Sequence, residues 1–248
     1  MKRALITGAS KRIGKAVAGF LAENGWSIVI HFNSSEKQAK ELSETLQSKF
    51  PNQSFAIAKA NLLNTDEVTA LILNTVSRFG NFDLLINNAS VFNGGSIKET
   101  SVDLFEMQMN VNFKAPFILM HDFAKHCKKG NIINLVDTRI TSNKSDFAAY
   151  SLSKKALWEL TKMAALEFAP QIRVNAIAPG VTLPPADNNE NYLNSLARKT
   201  PMKKAGGVEP ILKSIGYILD NNHLTGQLLF ADGGENLGTP PGYANREK

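Results

Sequence analysis

Cysteine is nearly absent from this chain of 248 residues, which has only Cys127. No internal disulfide can form, so a small secreted scaffold stapled by bridges is excluded and a reducing compartment, the cytoplasm, is expected. Long hydrophobic runs are missing as well. The apolar start Ala4-Leu5-Ile6 breaks at Thr7-Gly8, and no stretch reaches the ~20 residues that a membrane helix needs. Histidine is scarce and scattered, at His31, His121, His126 and His223. The closest pair is five apart and does not share a helix face, so no metal site is expected. Charged residues make up 20%, too few for a solvated disordered chain. Hydrophobic residues at 43% over this length suffice for one large core. The charge present is unbalanced, with a net +6. Basic residues are nevertheless mixed with acids over most of the chain, with no aromatic and basic stripe, so no nucleic-acid partner is expected.

What the chain has in plenty is alternation. Short apolar runs at 4–7, 27–31, 55–59, 84–87, 131–136, 174–178 and 228–231 read as strands. Amphipathic stretches at 13–23, 36–49, 66–79, 102–125, 148–168 and 208–219 read as helices between them. Repeated βαβ units with right-handed crossovers predict an α/β fold of Rossmann type: a doubly wound, seven-stranded parallel sheet with helices on both faces. No repeat or linker interrupts residues 1–248, so one domain is expected. The least regular part, 179–207, contains Pro184-Pro185 and Asp187-Asn188-Asn189 and ends at Gly206-Gly207. It follows the carboxyl end of a strand, where such folds bind ligands, and reads as a substrate lid. A C-terminal tail covers 235–248, and ordering of that tail against another subunit is one expectation.

The first strand runs into Thr7-Gly8-Ala9-Ser10-Lys11-Arg12-Ile13-Gly14. Gly8 permits a tight turn, Gly14 permits close helix packing, and the free amides opening the helix suit a pyrophosphate. At the end of the second strand, an acid would grip the ribose hydroxyls of NAD and repel a 2′-phosphate. Here the residues are His31, Phe32, Asn33, Ser34 and Ser35, with no carboxylate before Glu36. Lys11 and Arg12 can approach from the adjacent turn, so NADPH is expected over NADH. Residues 1–15 hold Lys2, Arg3, Lys11, Arg12 and Lys15 and no acid. Strand direction sends Lys2 and Arg3 to the far end of the sheet and leaves Lys11 and Arg12, with Lys15 nearby, at the phosphate end.

Tyr150 and Lys154 are four apart at the start of a predicted helix, on one face. A phenol titrates near 10, and an adjacent ammonium is expected to lower that value, letting the tyrosine exchange the proton that accompanies hydride transfer. The other tyrosines, Tyr192, Tyr217 and Tyr243, have Leu196, Asn221 and Glu247 at the fourth position.

With the glycine turn, Asn87-Asn88-Ala89 and Asn112 within Met109-Asn110-Val111-Asn112-Phe113, the chain resembles the short-chain dehydrogenase/reductase family up to Gly234. The resemblance implies that Asn112, Tyr150 and Lys154 relay the proton and that Asn88 supports the cofactor. It places Pro179-Gly180 beside the nicotinamide and carries the cofactor site on to Asn61, Leu62, Ala89 and Thr182. It also implies a homotetramer. The family carries a serine thirteen positions before the tyrosine, and Asp137 stands there. An ionised carboxylate about 4 Å from a developing alkoxide costs roughly 4 kcal/mol at an effective dielectric near 20, about a thousandfold in rate. A C=N bond in a nitrogen heterocycle suits it better, because the proton then goes to nitrogen. A protonated Asp137 would instead donate like a hydroxyl.

Arginine in the turn, His31-Phe32, Asn88-Ala89-Ser90-Val91-Phe92 and Val136-Asp137 resemble the pteridine reductase branch. That likeness implies NADPH-dependent reduction of pterins such as dihydropterin or biopterin, with dihydrofolate a further substrate. Phe92 would stack on the substrate ring, Ser90 would bond the ligand or cofactor phosphate, and Arg12, Asp137 and Tyr150 would complete the substrate site. Ser34 stands where the branch often has arginine for the 2′-phosphate, and Asn61 where an aspartate often meets the adenine. Two other readings remain. One is a carbonyl reductase acting on a ketone or 3-oxoacyl thioester, and the other is an NADP(H)-binding sensor without chemistry.

Overall fold

A computed structural model describes residues 2–184 and 190–238. Seven strands form one parallel sheet: β1 Lys2–Ile6, β2 Trp26–Phe32, β3 Phe55–Lys59, β4 Leu84–Asn87, β5 Gly130–Leu135, β6 Ile172–Pro179 and β7 Leu228–Ala231. Their order is β3-β2-β1-β4-β5-β6-β7. Winding proceeds outward from β1 in one direction and from β4 in the other, so the topology reverses between these two neighbours, which pair through Ala4 with Leu84 and Ile6 with Ile86. Crevices at such a reversal lie at the carboxyl ends of the strands.

Two-residue alternation in the strands divides the core. Ala4 and Ile6 face one layer, with Val17 and Leu21 of α1 (Arg12–Glu23), Leu42 and Leu46 of α2 (Glu36–Lys49), and Ile211 and Ile215 of α8 (Glu209–Asp220). Leu5 faces the other, with Leu71 and Ile72 of α3 (Thr65–Phe79), Leu119 and Phe123 of α5 (Ala115–Cys127), and Ala164 of α6 (Ala148–Phe168). Both faces of the sheet are covered, which is why its strands read as continuous apolar runs. Cys127, the last residue of α5, is buried in the second layer, and that burial pushes its thiol pKa up. Among the described residues no helix is long and apolar enough to cross a membrane.

Two expectations need correction. Where the sequence predicts a helix over 102–125, the structure has α4 (Val102–Met109), a wide π turn at Asn110–Lys114, and then α5. Pro116 brings no amide to the carbonyl four residues back, that of Asn112, and a widened turn is one way a helix absorbs that loss. The irregular stretch 179–207 is also not all loop, since α7 (Glu190–Ala197) lies inside it, with Ala197 buried. Eight residues are too few for a convincing periodic signal. Pro185, Asp187, Asn188 and Asn189 lie outside the described residues, as does the tail from 239 onward. The described part of the tail forms a single 3-10 turn, Glu235–Leu237.

Candidate active site

A cavity of about 620 Å³ opens over the carboxyl ends of β1 to β6, at the reversal between β1 and β4. On one side lies the turn after β1. Gly8 has φ +61, and a Cβ on Gly14 would stand 2.4 Å from the Gly8 carbonyl oxygen, so glycine is required at both positions. Thr7 and Asn88 staple this turn to β4. The Thr7 hydroxyl accepts from the amides of Asn88 at 2.9 Å and Ala89 at 3.0 Å, and Asn88 Nδ2 donates to the carbonyl of Thr7 at 2.7 Å. Helix α1 begins without a side-chain cap and without an acid in its first turn, which leaves its N-terminal dipole available to an anion. Lys11 and Arg12 line the cavity and Lys15 does not. The Arg12 guanidinium reaches across to the segment after β6, donating to the carbonyl of Pro184 at 2.8 Å.

The residues at the ends of β2 and β3 come together as expected: Phe32, Asn33, Ser34 and Ser35 line the cavity beside Asn61 and Leu62. Ser35 also bonds Ser10 across the turn, at 2.8 Å between hydroxyls. His31 lines the same wall, but its ring is committed elsewhere. Nδ1 accepts from the Gly8 amide at 3.0 Å, which leaves Nε2 to donate to the Ala60 carbonyl, also at 3.0 Å. Burial lowers its pKa to about 4, so the ring is neutral at ordinary pH. His31 therefore locks β1, β2 and β3 in register at the floor of the site and has no ring nitrogen left to offer a ligand.

On the other side of the cavity, Asp137 follows β5 and Tyr150 and Lys154 project from the first turns of α6. The Tyr150 hydroxyl donates to Asp137 Oδ2 at 2.8 Å, while Asp137 Oδ1 accepts from the Arg139 amide at 2.8 Å. Lys154 is fully enclosed. Its ammonium donates to the Leu135 carbonyl at 2.8 Å, and burial brings its pKa down to about 8. The expected lowering of the tyrosine pKa is not found. Burial first, then the charge of Asp137 and the hydrogen bond to it, drive the Tyr150 phenol well above its ordinary value. Tyr150 thus holds its proton at neutral pH.

Asn112 departs from expectation in position. It is fully buried behind the cavity wall and is absent from its lining. Its Oδ1 accepts from the Val91 amide at 2.9 Å and the Ser90 hydroxyl at 3.1 Å, and its Nδ2 donates to the Val91 carbonyl and to Ser153. The side chain fixes the loop carrying Ser90 and Phe92. Asn87 is interior too, donating to Asn134 at 2.8 Å. Phe92 stands at the cavity mouth, 54% exposed, in a T-shaped contact with Tyr150, ring centroids 4.6 Å apart. Pro179, Gly180 and Thr182 close the wall from β6. Three contributors have no sequence signal: the staple from Thr7, Phe147 stacked on Phe92, and Arg139. Phe147 and Arg139 lie outside any periodic run, and only the fold brings them to the site.

Comparison with known proteins agrees with this geometry. The family model described as short chain dehydrogenase matches residues 2–193. A 3-oxoacyl-[acyl-carrier-protein] reductase FabG of Staphylococcus epidermidis is 30% identical, with 94% of this chain and 98% of that protein covered. Pteridine reductase 1 of Leishmania tarentolae is 28% identical, with 94% and 96% covered. Among solved structures, FolM alternative dihydrofolate reductase 1 from Brucella canis, complexed with NADP, superposes with a TM-score of 0.90 at 32% identity over 98% of each chain. The chain therefore belongs to the short-chain dehydrogenase family and is an oxidoreductase.

Proposed function

We propose that this protein is an NADPH-dependent reductase of pterins, acting on a dihydropterin or biopterin and also on dihydrofolate. The observation that carries this reading is the hydrogen bond from Tyr150 to Asp137. A carboxylate here opposes a developing alkoxide by roughly 4 kcal/mol, yet it suits a substrate that presents N–H groups. NADPH, when bound, supplies the hydride to a ring carbon. Tyr150 gives its proton to the adjacent ring nitrogen, so a C=N bond becomes CH–NH. Asp137 accepts an N–H of the substrate and relays a proton taken from solvent back to Tyr150, and the Lys154 ammonium offsets the negative charge left on the phenolate.

The residues present fit the cofactor. The glycine turn and the uncapped start of α1 accept the pyrophosphate, and Lys11, Arg12, Ser34 and Ser35 hold the 2′-phosphate. Asn61 and Leu62 border the adenine, while Asn88, Ala89, Ser90, Lys154, Pro179, Gly180 and Thr182 line the route to the nicotinamide end. Solved relatives complexed with NADP support this choice. The lid over 179–207 covers the substrate, and Arg12 belongs to both the cofactor and substrate sides. We place the enzyme in the cytoplasm as a homotetramer. Exposed Phe105, Phe117, Met163 and Leu166 on α4, α5 and α6 supply an apolar face for assembly.

The carbonyl-reductase alternative has support in the likeness to the oxoacyl reductase. NADPH oxidation with dihydropterin and dihydrofolate, set against a panel of ketones and 3-oxoacyl thioesters, separates the two. Pterin turnover is expected, and ketone turnover without it overturns the proposal. Tight NADPH binding with no turnover of any of these compounds identifies a sensor.

A further inference from the structure

Phe92 does not stand alone at the cavity mouth. Phe147 lies against it with ring centroids 4.4 Å apart and planes within 8°. The Arg139 guanidinium sits 4.3 Å from the centre of the Phe147 ring. Two flat groups this close to one ring centre cannot share a face without overlapping, so Phe147 is covered on both sides. Arg139 is itself held in a two-pronged pair with Asp146, at 2.9 and 3.1 Å. The backbone reinforces the stack, because Gly95 donates to the Asp146 carbonyl at 2.9 Å and accepts from Ala148 at 3.0 Å, tying the loop after Phe92 to the residues flanking Phe147. Arg139 acts at a second point, since its amide holds Asp137 Oδ1.

We propose that Phe147, clamped by Arg139, is a specificity-determining positioning residue that fixes the plane of Phe92 and so admits a flat heteroaromatic ring on the cavity side. This deepens the pterin reading and rests on it. One face of Phe92 is used by Phe147 and the ring stands T-shaped to Tyr150, yet Phe92 is still 54% exposed, and that open ring surface is what a ligand can stack on. A rigid ring face rewards a planar bicycle, which stacks over its whole area, and gives little to a flexible acyl chain. The same residue pair links ring plane and acid: Arg139 sets Asp137 through its backbone and Phe147 through its side chain. Substrate orientation and proton donor are thereby held in one frame.

The test is titration of the NADPH-loaded protein with 2,4-diaminopteridine, a flat ligand whose binding needs no turnover, alongside dihydropterin kinetics. Phe147→Ala is expected to weaken pteridine binding about tenfold and raise the dihydropterin KM by a similar factor, with kcat falling about twofold and NADPH affinity unmoved. Phe147→Tyr restores binding to within about twofold, and Arg139→Leu, which keeps the backbone amide, gives an intermediate loss of about threefold. Wild-type pteridine affinity in Phe147→Ala, or equal loss in the Ala and Tyr variants, overturns the inference. Should Phe147→Ala not fold, undiminished affinity in Arg139→Leu overturns it instead. Pteridine binding without dihydropterin turnover in the wild type sinks the proposed reaction and leaves this inference standing, whereas absence of binding sinks both.

Discussion

Around Gly8 the cavity wall is held by neutral groups whose hydrogen bonds close within the protein, whereas around Asp137 it is held by charges, a proton-rich phenol and exposed rings. His31 and Tyr150 make the contrast concrete. Both are almost wholly buried and both have pKa values displaced by burial. His31 answers by staying neutral between two backbone partners. Tyr150 answers by keeping a proton that it points at a carboxylate. Under the proposed function, the side around Gly8 is a mould whose residues bear on stability, and the side around Asp137 does the chemical work.

Four experiments break or sharpen this division. Tyr150→Phe removes the acid and nothing from the mould, so kcat for dihydropterin should drop by about 10² to 10⁴ while NADPH affinity and melting temperature stay close to wild type. Undiminished NADPH oxidation would discard the proton role. Asp137→Ser exchanges a carboxylate for a hydroxyl, and pterin turnover should fall by about 10² or more as activity on a ketone rises from background. A variant that keeps its pterin rate would show that the carboxylate does not choose the substrate.

On the mould side, His31→Leu should leave kcat at saturating substrate near wild type but cost about 1–3 kcal/mol in denaturant unfolding, because the Gly8 amide and Ala60 carbonyl lose their partner. The pH dependence comes from the lowered value. The unfolded ring takes up a proton near 6.5 and the folded ring only near 4. Stability from this group is therefore complete above about 6.5 and falls as pH drops towards 4, by roughly 3 kcal/mol in all. His31→Leu should lack that slope, and an identical slope would assign it to other groups. The smallest effect is expected from Ser34→Arg, which adds a charge beside Lys11 and Arg12 and should raise the NADPH over NADH preference by about tenfold. No change in that ratio would place the 2′-phosphate elsewhere.

Much of the frame could be read from residue pattern. Strands β3, β4 and β7 and helices α2 and α6 begin and end where the apolar runs predict; for the central strand β4, buried along its whole length, burial on both faces writes itself as an unbroken hydrophobic stretch. Many cavity-lining residues, such as Gly8, Asn33, Asn61, Asn88, Asp137 and Gly180, were legible because they sit just past a strand end. What stayed hidden depends on contacts between distant segments. Asn112 reads as a polar site residue, but the wide turn at Pro116 and the loop of Val91 enclose it. The Tyr150–Lys154 spacing suggests a lowered phenol pKa, and burial first, with Asp137 placed 2.8 Å away second, reverses the sign. Phe147 and Arg139 carry no periodic signal, since their partners are Phe92 and Asp146 rather than a core face.

The lone thiol of Cys127 gives the molecule a reporter of its own opening. It sits 3% exposed at the end of α5, with burial holding its pKa above the ordinary value, so a thiol reagent can react only when that end of the helix leaves the sheet. The labelling rate in the native protein therefore measures how often the α3 and α5 side lifts away, without any engineered probe.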